Sequence, residues 1–388
     1  MDGKFIIEED KKYIANTYSR FPVAFKDGKG CRLYDFDGKE YIDCGSGIGV
    51  DVFGVNDEEW KKAVIAQLNK VQHTSNLYYT EPAADLAKLL CGRTGAKKVF
   101  FGNSGAEANE CAIKAARKYG EINYGPSRKE IITLKNSFHG RTLATLAATG
   151  QDGFHKYYGP FPAGFVYADA DAASVESCMK ENTCAVMVEC TQGESGVNVL
   201  GGDFLKAVEK LCKERDILLI CDEVQTGNGR TGRLYSYENY GLRPDIVTTA
   251  KGLGGGLPIG ACMMFEKCAG VFGYGDHGST FGGNPVVCAG AINILSRIDK
   301  ELLEKVREKG EYFTARLKEI EGVEEVSGLG LMIGIKTAKP AAEIAAECVK
   351  RGLLVLTAHS RVRLLPPLTI SKDEIDFALK ILNEVIRG

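Results

Sequence analysis

Ile217-Leu218-Leu219-Ile220-Cys221-Asp222-Glu223 runs five apolar residues straight into two carboxylates. An unbroken apolar run, without polar alternation, reads as a strand covered on both faces. A carboxylate at the end of such a strand is costly unless something positive meets it. Working outward, the same pattern recurs at Val99–Gly102, Ile131–Leu134, Phe165–Tyr167, Ala185–Glu189, Asp245–Thr249 and Ile259–Phe265, with helical stretches between. This alternation predicts an α/β fold whose large domain holds a mainly parallel, seven-stranded sheet with helices on both faces.

The two chain ends read differently. Residues 31–44 set β-favouring residues on either side of Asp37-Gly38, a hairpin turn signal. Asn56-Asp57-Glu58-Glu59 predicts a helix start capped by Asn56, with Trp60, Val64 and Leu68 on one face. Asn284-Pro285 pairs a cap with a proline at the first helical position. Beyond it, two amphipathic helices flank a glycine-rich strand region, 328–335, and Ser371-x-x-Glu374 spells a capping box. The expected division is an N-terminal segment of a smaller α+β domain at 1–48, a large domain at 49–283, and the rest of the smaller domain at 284–388. The 388 residues suit two or three domains at about 150 residues each.

Composition removes several functions. With 49 Lys+Arg against 51 Asp+Glu the formal net charge is −2, which offers nucleic acid no basic face. The first residues lack the apolar run of a signal peptide, and no stretch approaches the roughly 18 apolar residues of a membrane span. The expected location is cytoplasmic. The 13 cysteines are scattered, without a C-x-x-C pair and without histidines beside them. They read as reduced core thiols, not as a disulfide framework or a metal site.

Four loops after predicted strands carry chemistry, where α/β sheets bind ligands. Ser104-Gly105-Ala106-Glu107 opens a helix, and small residues there let free N–H groups reach an anion such as a phosphate. Alone, such a loop reads more often as a plain helix cap. Phe138, in Ser137-Phe138-His139-Gly140-Arg141-Thr142, suits stacking on a planar heterocycle, and Arg141 suits a carboxylate. The pair reads equally well as a packed ring beside a surface arginine. Asp222 is the better of its two acids for holding a cation, while Glu223 reads as structurally partnered. Gly227-Asn228-Gly229-Arg230-Thr231-Gly232 matches G-x-G-x-x-G, yet no helix pattern follows and two carboxylates precede it. A dinucleotide site needs the helix and would be repelled by the acids. Finally, Thr249-Ala250-Lys251-Gly252-Leu253-Gly254-Gly255-Gly256 sets one lysine among glycines, as a Schiff-base lysine beside a bulky cofactor would require. Downstream, Ser279 and Thr280 supply two hydroxyls.

An anion cradle, a stacking ring, an acid for a ring nitrogen and a lysine for an aldehyde are together the demands of pyridoxal 5'-phosphate. At this point the chain resembles the fold-type I, class III aminotransferases of the ornithine and acetylornithine family, from about Tyr18 to Leu368. The resemblance implies that Lys251 bonds to the cofactor aldehyde and then shuttles a proton, and that Asp222 keeps the ring nitrogen protonated. It implies that Phe138 and Val224 sandwich the ring, with Gln225 near its phenolic oxygen. Ser104, Gly105 and Ala106 would hold the phosphate, joined by Thr280 from the other subunit of a homodimer.

For substrate, the resemblance implies that Arg141 grips the α-carboxylate, with Ser279 nearby, and that Arg363 is a second carboxylate-binding arginine gated by Glu194. The Phe-His-Gly-Arg-Thr spelling is similar to the acetylornithine branch, whose members move the δ-amino group of N2-acetyl-L-ornithine to 2-oxoglutarate in arginine biosynthesis. Ile48, where ornithine enzymes tend to carry tyrosine, points away from ornithine, and 4-aminobutyrate aminotransferases share the isoleucine. Ornithine, succinylornithine or 4-aminobutyrate is the alternative donor. A racemase or aminomutase would share Lys251 and Asp222 but would use no keto acid. Two spellings depart from the family: Glu189-Cys190-Thr191-Gln192 and Gly54-Val55-Asn56-Asp57.

Overall fold

In the computed structural model, which describes residues 2–388, the seven apolar runs form one sheet. Its strands are β1 Lys98–Gly102, β2 Glu130–Leu134, β3 Phe165–Ala168, β4 Thr183–Val188, β5 Leu218–Asp222, β6 Ile246–Thr249 and β7 Gly260–Met264, in the spatial order β1-β7-β6-β5-β4-β2-β3. Every residue of β4, β5, β6 and β7 is buried, as continuous apolar runs require. Six strands point the same way; β7 runs antiparallel to both β6 and β1.

Register sets the site. Cys221 pairs with Val188, Asp222 with Thr248, Thr249 with Ala261, and Gly260 with Gly102. The carboxyl ends of β1, β4, β5 and β6 therefore meet along one edge, where β7 begins. The helix Gly105–Tyr124 lays a face of small residues, including Ala108, Cys111, Ala112, Ala115 and Ala116, against the sheet. It packs under β1, β7, β6, β5 and β4 in turn.

The chain ends pair with each other. Strands Phe25–Lys29, Arg32–Asp35 and Glu40–Asp43 form an antiparallel ribbon turning at Gly38 (φ +82°), and Leu353–Leu354 joins its edge in parallel. Val323–Leu329, Met332–Thr337, Arg361–Leu364 and Leu356–Ala358 make a second four-stranded sheet. Three helices accompany these strands rather than two: Lys300–Lys318, Ala341–Lys350 and Lys372–Arg387. The expected capping box is present, Ser371 Oγ accepting from Glu374 N–H and Glu374 from Ser371 N–H. So is the Asn284 cap, which accepts from Val286 and Val287 N–H at the start of the helix Pro285–Arg297.

Two details differ from the sequence reading. The helix Glu58–Leu68 is capped by Asp57, whose Oδ1 accepts from Trp60 N–H at 2.8 Å, while Asn56 turns left-handed (φ +59°). Asp57 also takes both arms of Arg297, which fixes it as the cap. Trp60 and Val64 pack beside Gly290 on the helix Pro285–Arg297, but Leu68 at the helix end stays 54% exposed. The 13 cysteines are all free, and all except Cys91 and Cys178 are buried. Among the described residues no His, Cys, Asp and Glu cluster suits a metal ion, and no helix is long and apolar enough to cross a membrane.

One glycine ties the sheet to the loop after β1. A Cβ on Gly260 would lie 2.0 Å from the carbonyl oxygen of Ser104, a contact only backbone movement could relieve. Gly260→Ala should therefore cost about 1–3 kcal/mol by overpacking, read as a lower urea midpoint. Gly92→Ala, with nothing within 4 Å in the helix Glu81–Thr94, should leave stability unchanged or raise it by up to about 1 kcal/mol.

Candidate active site

Asp222 ends β5 inside the protein, only 4% exposed. Its Oδ2 accepts from Asn109 Nδ2 and from His139 Nδ1, both at 2.8 Å, and its Oδ1 accepts from Val224 N–H at 3.0 Å. The carboxylate acceptor fixes His139 as the Nδ1–H tautomer. Asn109 is itself held, donating to the His139 carbonyl at 2.8 Å and accepting from Thr248 O–H at 2.6 Å. Three N–H donors satisfy a buried negative charge that would otherwise be prohibitive. Oδ1, with one donor, keeps acceptor capacity for a further N–H.

Lys251 follows β6 in the left-handed region (φ +46°), a strained conformation for a lysine. Asn228 Nδ2 pins the preceding turn by donating to Thr249 Oγ1 and to the Ala250 carbonyl. Among the described residues the Lys251 amine has no hydrogen-bond partner. Burial holds it below the ordinary lysine range, against the pull of Asp222.

A cavity of about 450 Å³ gathers these groups. Its walls include Lys251, Asp222, Ser104, Gly105, Ala106, Phe138, Arg141, Val224, Gln225 and Glu189. Ser104 caps the helix Gly105–Tyr124 through Oγ, which accepts from Glu107 N–H at 3.1 Å, and the Glu107 carboxylate folds back onto Asn103. Among the described residues the N–H groups of Gly105 and Ala106 have no acceptor, and both residues line this cavity at a helix start. Gly105 must be glycine because a Cβ there would sit 2.6 Å from Val224 Cγ1.

Phe138 lies on the cavity wall, edge-on to Phe154, with the exposed Arg141 guanidinium 4.2 Å from the Phe154 ring. Arg363, 2% exposed on the strand Arg361–Leu364, comes in from the C-terminal sheet. Its Nη1 meets Glu194 Oε2 at 2.8 Å, the Gly193 carbonyl at 3.0 Å and Gln225 Oε1 at 3.1 Å. Three acceptors thus share two hydrogens, while Nε–H is buried without a partner. Gln225 links this pair to the cavity.

Not every expected residue lies there. Ser279 Oγ accepts from Asn103 Nδ2 at 3.1 Å and from Gly282 N–H, and neither Ser279 nor the exposed Thr280 lines this chain's cavity. Ile48 sits half-exposed in a left-handed turn with Ser46, Gly47 and Gly49, and Val50 lines the cavity instead. The loop Gly227–Gly232 leads into a short 3₁₀ turn, Ser236–Tyr240, and packs against the C-terminal part of the chain. Glu223 is structurally partnered as expected: Thr226 O–H and the N–H groups of Ser236 and Tyr237 donate to it. Burial still raises its carboxyl to about 7. Asn109, His139 and Glu189 escaped the sequence reading. Asn109 left a signal, a polar residue on the buried face of a helix otherwise lined with small and apolar residues, and Glu189 left another, a carboxylate ending the apolar run Ala185–Val188.

The family described as aminotransferase class-III matches residues 13–386. Proteins named acetylornithine aminotransferase align over nearly the whole chain at 42–50% identity. That of Haemophilus ducreyi is 50% identical, covering 100% of this chain and 99% of its own length. Among solved structures, the ornithine aminotransferase of Toxoplasma gondii superposes with a TM-score of 0.95 at 30% identity, covering 100% of this chain and 95% of its own. The acetylornithine aminotransferase of Elizabethkingia anophelis gives 0.89 at 31% identity, over 100% and 98%. A lysine, an acid and a helix start converging on one sheet edge thus agree with a family match along almost the entire sequence: this chain belongs to the class III aminotransferases.

Proposed function

We propose that this chain moves the δ-amino group of N2-acetyl-L-ornithine to 2-oxoglutarate, using pyridoxal 5'-phosphate, as a cytoplasmic homodimer. The convergence of Lys251, Asp222 and the Ser104–Ala106 helix start on one cavity carries the reading. The donor follows the relatives named acetylornithine aminotransferase. The cavity suits the cofactor: its volume lies in the small-ligand range, the free N–H pair suits a phosphate, and Asp222 and an unpartnered amine lie within the same walls. The division into 1–48 with 284–388 and 49–283 belongs to the same proposal, the site lying mostly on the large part and Arg363 arriving from the small.

When bound, the cofactor supplies a cationic ring that accepts electrons from a breaking C–H bond. The chain supplies the rest. Asp222 keeps a proton on the ring nitrogen, and Asn109, His139 and the Val224 N–H keep Asp222 aimed. Lys251, with its amine held partly in the free-base form by burial, is the nucleophile and afterwards the group that takes up and returns the proton. Phe138 and Val224 would hold the ring, with Gln225 near its phenolic oxygen, and Ser104, Gly105 and Ala106 would hold the phosphate, joined by Thr280 of the partner subunit. Arg141, with Ser279 nearby, takes the α-carboxylate of the donor. Glu194 occupies Arg363 while the donor is bound and gives way when 2-oxoglutarate brings a second carboxylate.

Spectra, variants and pH dependence test this. The purified protein should absorb in the visible once loaded with pyridoxal 5'-phosphate. N-acetylornithine should bleach the band better than ornithine or 4-aminobutyrate, and 2-oxoglutarate should restore it; a protein that stays colourless overturns the proposal. Lys251→Ala should abolish the exchange. Because burial lowers the amine's pKa, its free base persists to lower pH than an exposed lysine's. Cofactor capture by wild-type apoprotein, followed by stopped-flow absorbance, should be fast at neutral pH and slow as the amine protonates. Asn109→Ala removes one hydrogen bond to a charged group, worth about 1.5–3 kcal/mol, and should lower kcat/KM about 10–100-fold with the fold intact by circular dichroism.

A further inference from the structure

Glu189 lines the cavity but has no part in the chemistry above. It directly follows Val188, the β4 residue paired with Cys221 of β5, so it stands beside Asp222 at the same buried edge. The two carboxylates are treated very differently. Asp222 receives three N–H donors; Glu189, 6% exposed, receives one, Phe138 N–H to Oε2 at 2.9 Å. Among the described residues no Lys, Arg or His forms an ion pair with Glu189. Its other oxygen, Oε1, has no protein partner.

The charges around it do not make up the difference. Asp222 on β5 and Glu194 on the following loop repel a negative Glu189, and Arg363 is already shared between Glu194, Gly193 and Gln225. His139 is committed to Asp222. Lys251 attracts it, but burial weakens the Lys251 charge, and Arg141 on the same cavity wall makes no ion pair with it among the described residues. Two adjacent buried carboxylates do not both ionise when one holds three donors and the other a single one. Burial and the neighbouring Asp222 accordingly push the Glu189 carboxyl upward.

We infer that Glu189 enters the cavity as a neutral carboxylic acid and is a positioning residue, its Oε1–H donating to an anionic oxygen of what binds there. The protonation state stands on this chain's geometry alone. The acceptor rests on the function proposed above: it is an oxygen of the cofactor ring or of the keto-acid carboxylate. The acid loses no proton in the cycle; it supplies a donor where a second anion would repel these groups.

Infrared spectroscopy of the apoprotein at neutral pH reads the protonation state without any ligand. The wild-type minus Glu189→Gln difference should contain the C=O stretch of a protonated carboxyl, moving in D₂O. A difference holding only carboxylate stretches overturns the inference, whether or not the protein proves to be an aminotransferase. In the loaded enzyme, Glu189→Ala should cost about 3–10-fold, and Glu189→Gln, which keeps a donor without a charge, should recover most of the loss. A shifted pH midpoint of the visible band in Glu189→Ala identifies the ring oxygen as acceptor. A raised KM for 2-oxoglutarate at unchanged kcat identifies the keto acid. Glu189→Gln behaving as badly as Glu189→Ala, or Glu189→Ala matching wild type, overturns the donor role. Should Glu189→Ala fail to fold, the isosteric Glu189→Gln and the infrared difference decide.

Discussion

Three N–H groups from three separate segments close on the Asp222 carboxylate, and the site's architecture follows from bringing them together. Asn109 comes from the helix after β1, His139 from the loop after β2, and Val224 from the turn after β5 itself. Only a sheet whose strand ends share one edge, crossed by the helix Gly105–Tyr124, assembles donors so distant in sequence. The same helix presents free N–H groups at its start and Asn109 one turn further on, so the anion cradle and the Asp222 support are two parts of one element. Movement of that helix would disturb both.

The seven strands were legible because a strand buried on both faces cannot hide its apolar run. The direction of β7 was not, since a run of apolar residues reads the same whichever way the strand points. Lys251, Asp222 and Ser104–Ala106 stood out because each is costly or odd where it lies: a lysine among glycines, an acid after a buried run, small residues at a helix start. Asn109 and His139 did not, because a buried polar group is recognised by its partner, and their partners lie in other segments; Glu189 ends an apolar run as Asp222 does, but the fold alone shows that a single donor reaches it. The exchange of Asn56 for Asp57 as helix cap has the same origin. Both side chains can cap, and Arg297 selects between them.

The glycines after Lys251 serve a purpose that the sequence does not suggest. They read as clearance for a bulky group. In the fold, a Cβ on Gly252 would meet Val52 Cγ1 at 2.7 Å, and one on Gly254 would meet the Leu257 carbonyl at 1.9 Å, so these two serve the chain's own packing. Only Gly256 lines the cavity. The neighbouring Gly227–Gly232 loop likewise holds protein to protein. Arg230 is buried there without a carboxylate, donating to the Leu331 and Pro366 carbonyls, and burial alone lowers its guanidinium to about 9.

The parallel pairing of Glu40–Asp43 with Leu353–Leu354 has a consequence for biosynthesis. The ribbon Phe25–Asp43 leaves the ribosome some 310 residues before Leu353–Leu354, the strand that completes its edge. All seven strands of the central sheet emerge in the interval. An exposed edge invites pairing with any passing strand. The nascent chain therefore carries an open edge while the whole central sheet is made, until Leu353–Leu354 closes it.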